Sequence, residues 1–128
     1  MAITICLAIL GIISLLFYVV RPKLGGSEPA PIKEAWLDIH GGIKSALDAY
    51  EVDNGSYPKS LQDLLKQPSG ATNWHGPYVD PPKMPLDSWG RKYIYEYPGK
   101  HNTNGYDLFS AGPDGNAGTE DDIGSWMN

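Results

Sequence analysis

The chain has 128 residues and a formal net charge of −5 at pH 7, with 15 acidic side chains against 10 lysines and arginines. This balance leaves no basic stripe to follow a phosphate backbone, and no nucleic-acid-binding motif occurs, so the sequence argues against a nucleic acid as a partner. The single cysteine, Cys6, excludes an intramolecular disulfide and a cysteine-based zinc cage.

The first twenty residues, MAITICLAILGIISLLFYVV, carry no charged side chain. A helix needs about twenty apolar residues to cross a hydrocarbon core roughly 30 Å thick, so the run predicts a transmembrane helix over residues 1–20. A cleaved secretory signal is the competing interpretation, but no basic region precedes the run and no A-x-A-like site precedes Arg21. Arg21 and Lys23 follow the helix, and this slight charge bias favours a cytoplasmic C-terminal side.

A Gly- and Pro-rich stretch, residues 21–31 (RPKLGGSEPAP), predicts a break or a flexible joint after the membrane helix. Beyond it, apolar residues recur at three- and four-residue spacing, which predicts an amphipathic helix. These apolar positions are Ile32, Ala35, Trp36, Ile39, Ile43, Ala46, Leu47 and Tyr50. The DNG sequence at Asp53–Gly55 predicts the end of this helix, and Gly41 and Gly42 weaken its middle by up to about 1 kcal/mol each relative to Ala.

The remaining elements predict a small α+β domain over residues 32–128. Leu61, Leu64 and Leu65 predict a short second helix that begins at Lys59 or Ser60, and four prolines in residues 76–86 predict an extended, ordered loop. Aromatic-rich strands over Lys92–Tyr97 and Tyr106–Ser110 predict a hairpin. An isolated hairpin is only marginally stable, so we expect its apolar face to pack on the long helix.

An acidic, glycine-broken loop, GPDGNAGTEDDIGSW, occupies residues 112–126. Asp114 is followed by two glycines, and the acidic residues 120–122 come after a short excursion of the chain. Calcium takes about six to eight oxygen ligands in flexible geometry, and clustered carboxylates without a cation repel one another. The pattern is therefore compatible with a calcium site, while a solvated acidic turn remains the alternative. DGNAG has the spacing that starts an EF-hand loop, but the later acids do not keep the EF-hand register.

Other polar residues do not form a catalytic pattern. His40, His75 and His101 are scattered, and none is paired with a second His or Cys at metal-binding spacing. Asp87 and Asp107 do not form a recognisable acid–base pair. DSWG, residues 87–90, predicts an Asx turn closed by glycine. The sequence therefore predicts that the protein is not an enzyme.

Five sequences together resemble one known family, the major pseudopilins (protein G) of type II secretion systems. In chain order they are DNGSYP (53–58), GPYV (76–79), DSWGRKYIY (87–95), YDLFSAGPDG (106–115) and DDIGSW (121–126). The resemblance, which runs from about Leu37 to the C-terminus, implies a type IV pilin-like fold in which a long helix packs on a small antiparallel sheet. It also implies a C-terminal calcium loop. The implied Ca²⁺ ligands are the side chains of Asp114, Asp121 and Asp122 and the backbone carbonyls of Ala111, Pro113 and Asn116.

The resemblance implies a membrane-anchored structural subunit without a small-molecule substrate. Such a subunit assembles through its N-terminal helix, with copies of itself and with other secretion-system subunits, into a pseudopilus that supports protein export. Against the charge bias, the resemblance places the chain in the bacterial inner membrane as a single-pass protein, with the C-terminal domain on the periplasmic or outer side.

The N-terminal prepilin motif of the family, G-F-T-L-I-E, is not matched, and no acidic residue occurs before Glu28. Either the start site is placed too far downstream, or the chain is a relative that keeps the fold without polymerising in the standard way. In the second case it would be a membrane-anchored, monomeric calcium-binding interaction module.

Overall fold

The computed structural model describes residues 30–128. A helical segment comes first and consists of α1 (Ala30–Leu37), a π-helical turn (Asp38–Gly42) and α2 (Ile43–Asn54). A 3-10 turn (Leu61–Leu64) and three strands follow, β1 (Ile94–Glu96), β2 (Asp107–Ser110) and β3 (Ile123–Gly124). The predicted transmembrane helix and residues 21–29 of the predicted joint lie outside the described residues. Between residues 30 and 128, none of the helices combines the length and the apolar character that a membrane span requires.

The predicted amphipathic helix is confirmed, and among the described residues it also includes Ala30 and Pro31, which the sequence had placed in the Gly- and Pro-rich joint. It ends as the DNG sequence predicts, because Gly55 adopts a left-handed conformation with φ 84° and donates its N–H to the Glu51 carbonyl at 2.8 Å. The π-helical turn was not predicted.

One face of this helical segment is buried against the rest of the domain. The buried residues are Ala35, Ile39, Ile43, Ala46, Leu47 and Tyr50. The widened turn keeps Ile39 and Ile43, four residues apart, on the buried face. Trp36 belongs to the predicted apolar set but is 39% exposed, and its ring stacks on His40 with the centroids 4.1 Å apart.

The predicted short second helix is present as the 3-10 turn, which follows Ser60 and buries Leu64 completely. Residues 76–86 are irregular except for an isolated bridge between Leu86 and Lys92, as the prolines predict. The Tyr78 amide donates to the Leu64 carbonyl at 2.8 Å, so the irregular segment is fastened to the 3-10 turn.

The sheet contains the predicted hairpin and one additional strand. β1 and β2 are antiparallel, with Tyr95 opposite Leu108, so the hairpin is confirmed, although β1 is shorter than the predicted Lys92–Tyr97. β3 pairs with the other side of β2 and places Ser110 opposite Ile123. This strand was not predicted, because residues 121–126 read in the sequence as part of the acidic loop. Two residues are too short a strand for a periodic pattern to show.

A single apolar core fills the space between the helical segment and the sheet. Leu47 from α2, Leu64 from the 3-10 turn and Leu108 from β2 are each fully buried in it. Ile123 of β3 belongs to the same cluster. The domain is therefore an α+β unit with the helix on the sheet, and the acidic loop connects its last two strands.

Candidate functional site

The acidic loop connects β2 to β3, so its two ends lie side by side at the end of the sheet. Ser110 and Ile123 are paired across the strands, which brings Ala111 and Asp122 close to one another. Ala111 is buried and Asp122 is half-buried, whereas Asp114 is exposed. The fold therefore gathers residues that are up to eleven positions apart into one loop with a fixed base.

The loop begins with a tight turn at Gly112–Gly115. The Gly115 amide donates to the Gly112 carbonyl at 3.2 Å, which closes the turn around Pro113 and Asp114. The Asp114 amide donates to Asp121 Oδ2 at 3.0 Å, and the Asn116 amide donates to Asp114 Oδ1 at 2.8 Å. These hydrogen bonds bring two of the predicted calcium ligands, Asp114 and Asp121, together.

Thr119, which the sequence analysis did not select, lies between these two carboxylates. Its hydroxyl is 2.8 Å from Asp114 Oδ2 and 3.0 Å from the Asn116 carbonyl, and it also contacts Asp121 Oδ1. A hydroxyl has one proton, so Thr119 can donate to only one of these three acceptors at a time. The hydrogen bond from Thr119 lowers the pKa of Asp121. The cluster thus has more acceptor oxygens than donors to satisfy them.

Asp122 carries the oxygen that is hardest to explain without a ligand. Its Oδ2 accepts the Gly118 amide proton at 2.7 Å, while its Oδ1 is buried and has no hydrogen-bond partner. Among residues 30–128, it is the one buried side-chain oxygen or nitrogen that has no hydrogen-bond partner. A buried carboxylate oxygen without a partner is costly, because it loses its hydration and gains nothing in exchange.

The ligand chemistry of the loop fits a hard cation. Carboxylate and carbonyl oxygens are the ligands that calcium prefers, and a cation would give the buried, unpartnered Asp122 Oδ1 a partner. The arrangement is not a finished site, however. Within the described part of the chain, no three His, Cys, Asp or Glu side chains already surround a metal position. Asp114 and Asp121 meet at Thr119, whereas Asp122 faces Gly118.

A neighbouring turn, residues 87–91, holds the start of the loop. Asp87 is buried and accepts the amide protons of Trp89 and Arg91 at 3.1 and 2.8 Å, which confirms the predicted Asx turn. The Ser110 hydroxyl donates to Asp87 at 2.7 Å and accepts the Gly112 amide proton at 3.1 Å. The Arg91 guanidinium donates to the Gly112 carbonyl at 3.0 Å. These roles of Ser110 and Arg91 are not evident in the sequence, because their contacts with Asp87 and Gly112 cross about twenty positions and have no local signature.

Asp107, weighed above as a catalytic acid, has a structural environment instead. It is 1% exposed and accepts amide protons from Lys100, His101 and Asn102 at 2.9–3.0 Å. Burial alone would raise its pKa, but the hydrogen bonds from His101, Asn102 and Lys100 outweigh burial, so the pKa of Asp107 is lowered. Asp107 therefore fastens the β1–β2 turn as a charged acceptor.

A helix packed along a three-stranded antiparallel sheet, with an acidic loop closing the last strand, defines a pilin-like domain. Residues 24–126 match the family model described as type II secretion system, protein G. The chain belongs to the type II secretion system protein G family.

Relatives from several bacteria support this assignment. The type II secretion system core protein G of Escherichia coli K12 is 38% identical over 97% of this chain and 86% of its own length. The protein of the same name from Pseudomonas aeruginosa is 39% identical over 98% of this chain and 91% of its own length. The predicted family is thereby confirmed.

The fold agrees with a solved structure of this family. The crystal structure of the major pseudopilin from the type 2 secretion system of enterohaemorrhagic E. coli superimposes with a TM-score of 0.66 at 32% identity. The match covers 80% of this chain and 94% of that structure. The predicted pilin-like fold is confirmed by this likeness.

Proposed function

We propose that the chain is a structural subunit that assembles into a pseudopilus and supports protein export, and that Ca²⁺ stabilises its C-terminal loop. The first part rests on family membership, since the family's proteins belong to the type II secretion system. The second part rests on one observation above all, the buried Asp122 Oδ1 that has no partner. No catalytic role is proposed, because the polar side chains described above form hydrogen bonds with backbone groups.

Assembly is proposed to occur in the bacterial inner membrane. The apolar residues 1–20 would anchor the chain as a single span and pack against copies of themselves and other secretion-system subunits, with the folded domain on the periplasmic side. The test is expression of the full chain in a bacterium with a type II secretion system, followed by chemical crosslinking in intact cells and immunoblotting for multimers of the chain. Chain that stays monomeric there would contradict assembly and favour the monomeric calcium-binding module.

In the proposed calcium site, the carboxylates of Asp114, Asp121 and Asp122 bind the cation together with backbone carbonyls. Those carbonyls belong to Ala111, Pro113 and Asn116. Bound Ca²⁺ would supply the positive charge that the acceptor-rich loop lacks. Since the loop joins β2 to β3, binding to the folded state alone stabilises the whole domain, by about 2.7 kcal/mol at a calcium concentration 100 times the Kd.

Thermal unfolding of the full chain in detergent, with calcium and with excess chelator, tests this site. We expect a calcium-dependent rise in Tm for the wild-type chain, and we expect Asp114→Ala or Asp121→Ala to lower the Tm and abolish the rise. Glu120→Gln is the matched control, because Glu120 is an exposed acid of the same loop that is outside the proposed ligand set. A normal calcium response in both aspartate variants would overturn the assignment.

A further inference from the structure

The Arg91 side chain makes a contact with the acidic loop that the proposed calcium site does not explain. Its Nη1 donates to the Gly112 carbonyl at 3.0 Å. Its guanidinium also lies directly against the Gly115 backbone, since a Cβ added to Gly115 would come within 2.6 Å of Arg91 Cζ and 2.7 Å of Nη2. Gly115 has a positive φ of 70°, a backbone conformation that favours glycine at this position.

The contact falls on the turn that presents two of the proposed ligands. The Gly112 carbonyl accepts the Gly115 amide proton and the Arg91 proton together, so Arg91 closes the turn that contains Pro113 and Asp114. On the other side of the same residue, the Gly112 amide donates to Ser110. The amide and the carbonyl of Gly112 are therefore each hydrogen-bonded to a side chain, and both hydrogen bonds form without a cation.

We propose that Arg91 is a positioning residue for the calcium loop, which keeps the Gly112–Gly115 turn in its folded geometry before a cation binds. This inference rests on the proposed calcium site. If the turn were ordered in only a fraction of the calcium-free molecules, the apparent Kd would rise in inverse proportion to that fraction. A side chain that orders the turn in advance therefore strengthens calcium binding.

The positive charge of Arg91 acts in the opposite direction, because it repels a cation. The Arg91 side chain is exposed, so water weakens this repulsion relative to that between buried charges. The hydrogen bond and the contact with Gly115, by contrast, act on the turn directly.

The experiment measures calcium affinity and loop order separately on the full chain in detergent. Titration calorimetry with CaCl₂ gives the Kd, and hydrogen exchange read by mass spectrometry, in chelator, gives the protection of the loop amides. For Arg91→Gln we expect the Kd to rise roughly tenfold, which corresponds to a tenfold fall in the ordered fraction, together with faster exchange over residues 112–116. Arg91→Lys keeps the charge and a single donor without the planar group, so both changes should be intermediate.

Lys92→Gln is the matched control, because it removes the same charge from the adjacent, exposed residue and should leave both readouts unchanged. An Arg91→Gln chain with unchanged or tighter calcium binding would overturn the proposal and leave Arg91 as a merely repelling charge. Unchanged exchange in chelator would overturn it as well. If the wild-type chain bound no calcium, the calcium site itself would be overturned. If the wild-type chain bound calcium and Arg91→Gln had no effect, only the role of Arg91 would be overturned.

Discussion

Asp107 shows how much of this domain depends on single polar residues away from the acidic loop. Its carboxylate is buried and accepts three consecutive backbone amide protons, from residues 100–102, in the turn that follows β1. Amides that point at a fixed negative charge stabilise it, which is why the pKa of Asp107 is lowered in spite of burial. The charge of Asp107 is therefore linked to the stability of the fold.

Replacing Asp107 with Asn should destabilise the chain in a pH-dependent way. Hydrogen bonds to charged groups contribute about 1.5–3 kcal/mol each, and an Asn amide turns donors toward the backbone N–H groups, so we expect a loss of about 2–3 kcal/mol at pH 7. Since the folded pKa is the lower one, the contribution of Asp107 is fully present above about pH 4 and is lost as the pH falls through the folded pKa.

Urea unfolding at pH 7 and at pH 3 measures this difference. The gap between wild type and Asp107→Asn should narrow at pH 3, because the carboxyl of Asp107 is then largely protonated in the unfolded chain and folding has to release that proton. Asp80→Asn, at an exposed position, should change the free energy of unfolding by less than about 0.5 kcal/mol at both pH values. A gap that stays constant with pH would show that the charge of Asp107 is not what stabilises the turn.

Residue by residue, the sequence predicted the acids of the loop but not the groups that organise them. Asp114, Asp121 and Asp122 stand out because they are close in the chain and separated by glycines. Arg91 and Thr119 have no such signal, since each matters through a partner that only the folded chain brings near. A donor shared by three acceptors is a property of geometry, and spacing in the sequence does not report it.

Among the secondary-structure elements, those with long periodic patterns were predicted well. The helix was predicted from its apolar spacing and its glycine stop, and the hairpin from two aromatic runs. The π-helical turn and β3 were missed. A change of helical period over Asp38–Gly42 leaves the apolar pattern nearly intact, and β3 exists only because Ile123 and Gly124 pair with an established strand.

The two glycines of the π-helical turn lead to a prediction about helix stability. Gly42 has φ −60° and ψ −53°, which any residue adopts, and a Cβ added there would meet no heavy atom within 4 Å. Gly42→Ala should therefore raise the free energy of unfolding by about 0.5–1 kcal/mol, because alanine loses less backbone entropy on folding.

Gly55→Ala is the matched comparison, since a Cβ there would also meet no heavy atom within 4 Å while φ is 84°. The left-handed conformation should cost alanine about 1–2 kcal/mol. Chemical denaturation of the two variants separates the effects by sign. A loss of stability in Gly42→Ala would mean that the π-helical turn itself needs glycine.

At the scale of the whole molecule, one core connects the ends of the described chain. Ile123 of β3 packs in the same cluster as Ile39 and Leu47 of the helical segment. Ser125, just past β3, donates its amide to the Leu108 carbonyl at 2.8 Å and accepts the Leu108 amide proton through its hydroxyl at 3.0 Å. The loop that we propose to bind calcium thus ends in a strand that the central core requires, so ordering the loop and stabilising the domain are coupled.

This coupling predicts a single cooperative unfolding transition that is sensitive to Ile123. The side chain is 5% exposed, and truncating a buried isoleucine costs about 2–5 kcal/mol, so Ile123→Ala should lower the free energy of unfolding by an amount in that range. Val52→Ala is the control, because Val52 is 83% exposed on α2 and its truncation should cost less than about 0.5 kcal/mol.

Far-ultraviolet circular dichroism follows the helix, and tryptophan fluorescence includes Trp126 beside β3. The two signals should change together in wild type and in Ile123→Ala. If fluorescence changed first while the helical signal stayed native, the domain would not unfold in a single transition, and the proposed coupling of the loop to the core would be contradicted.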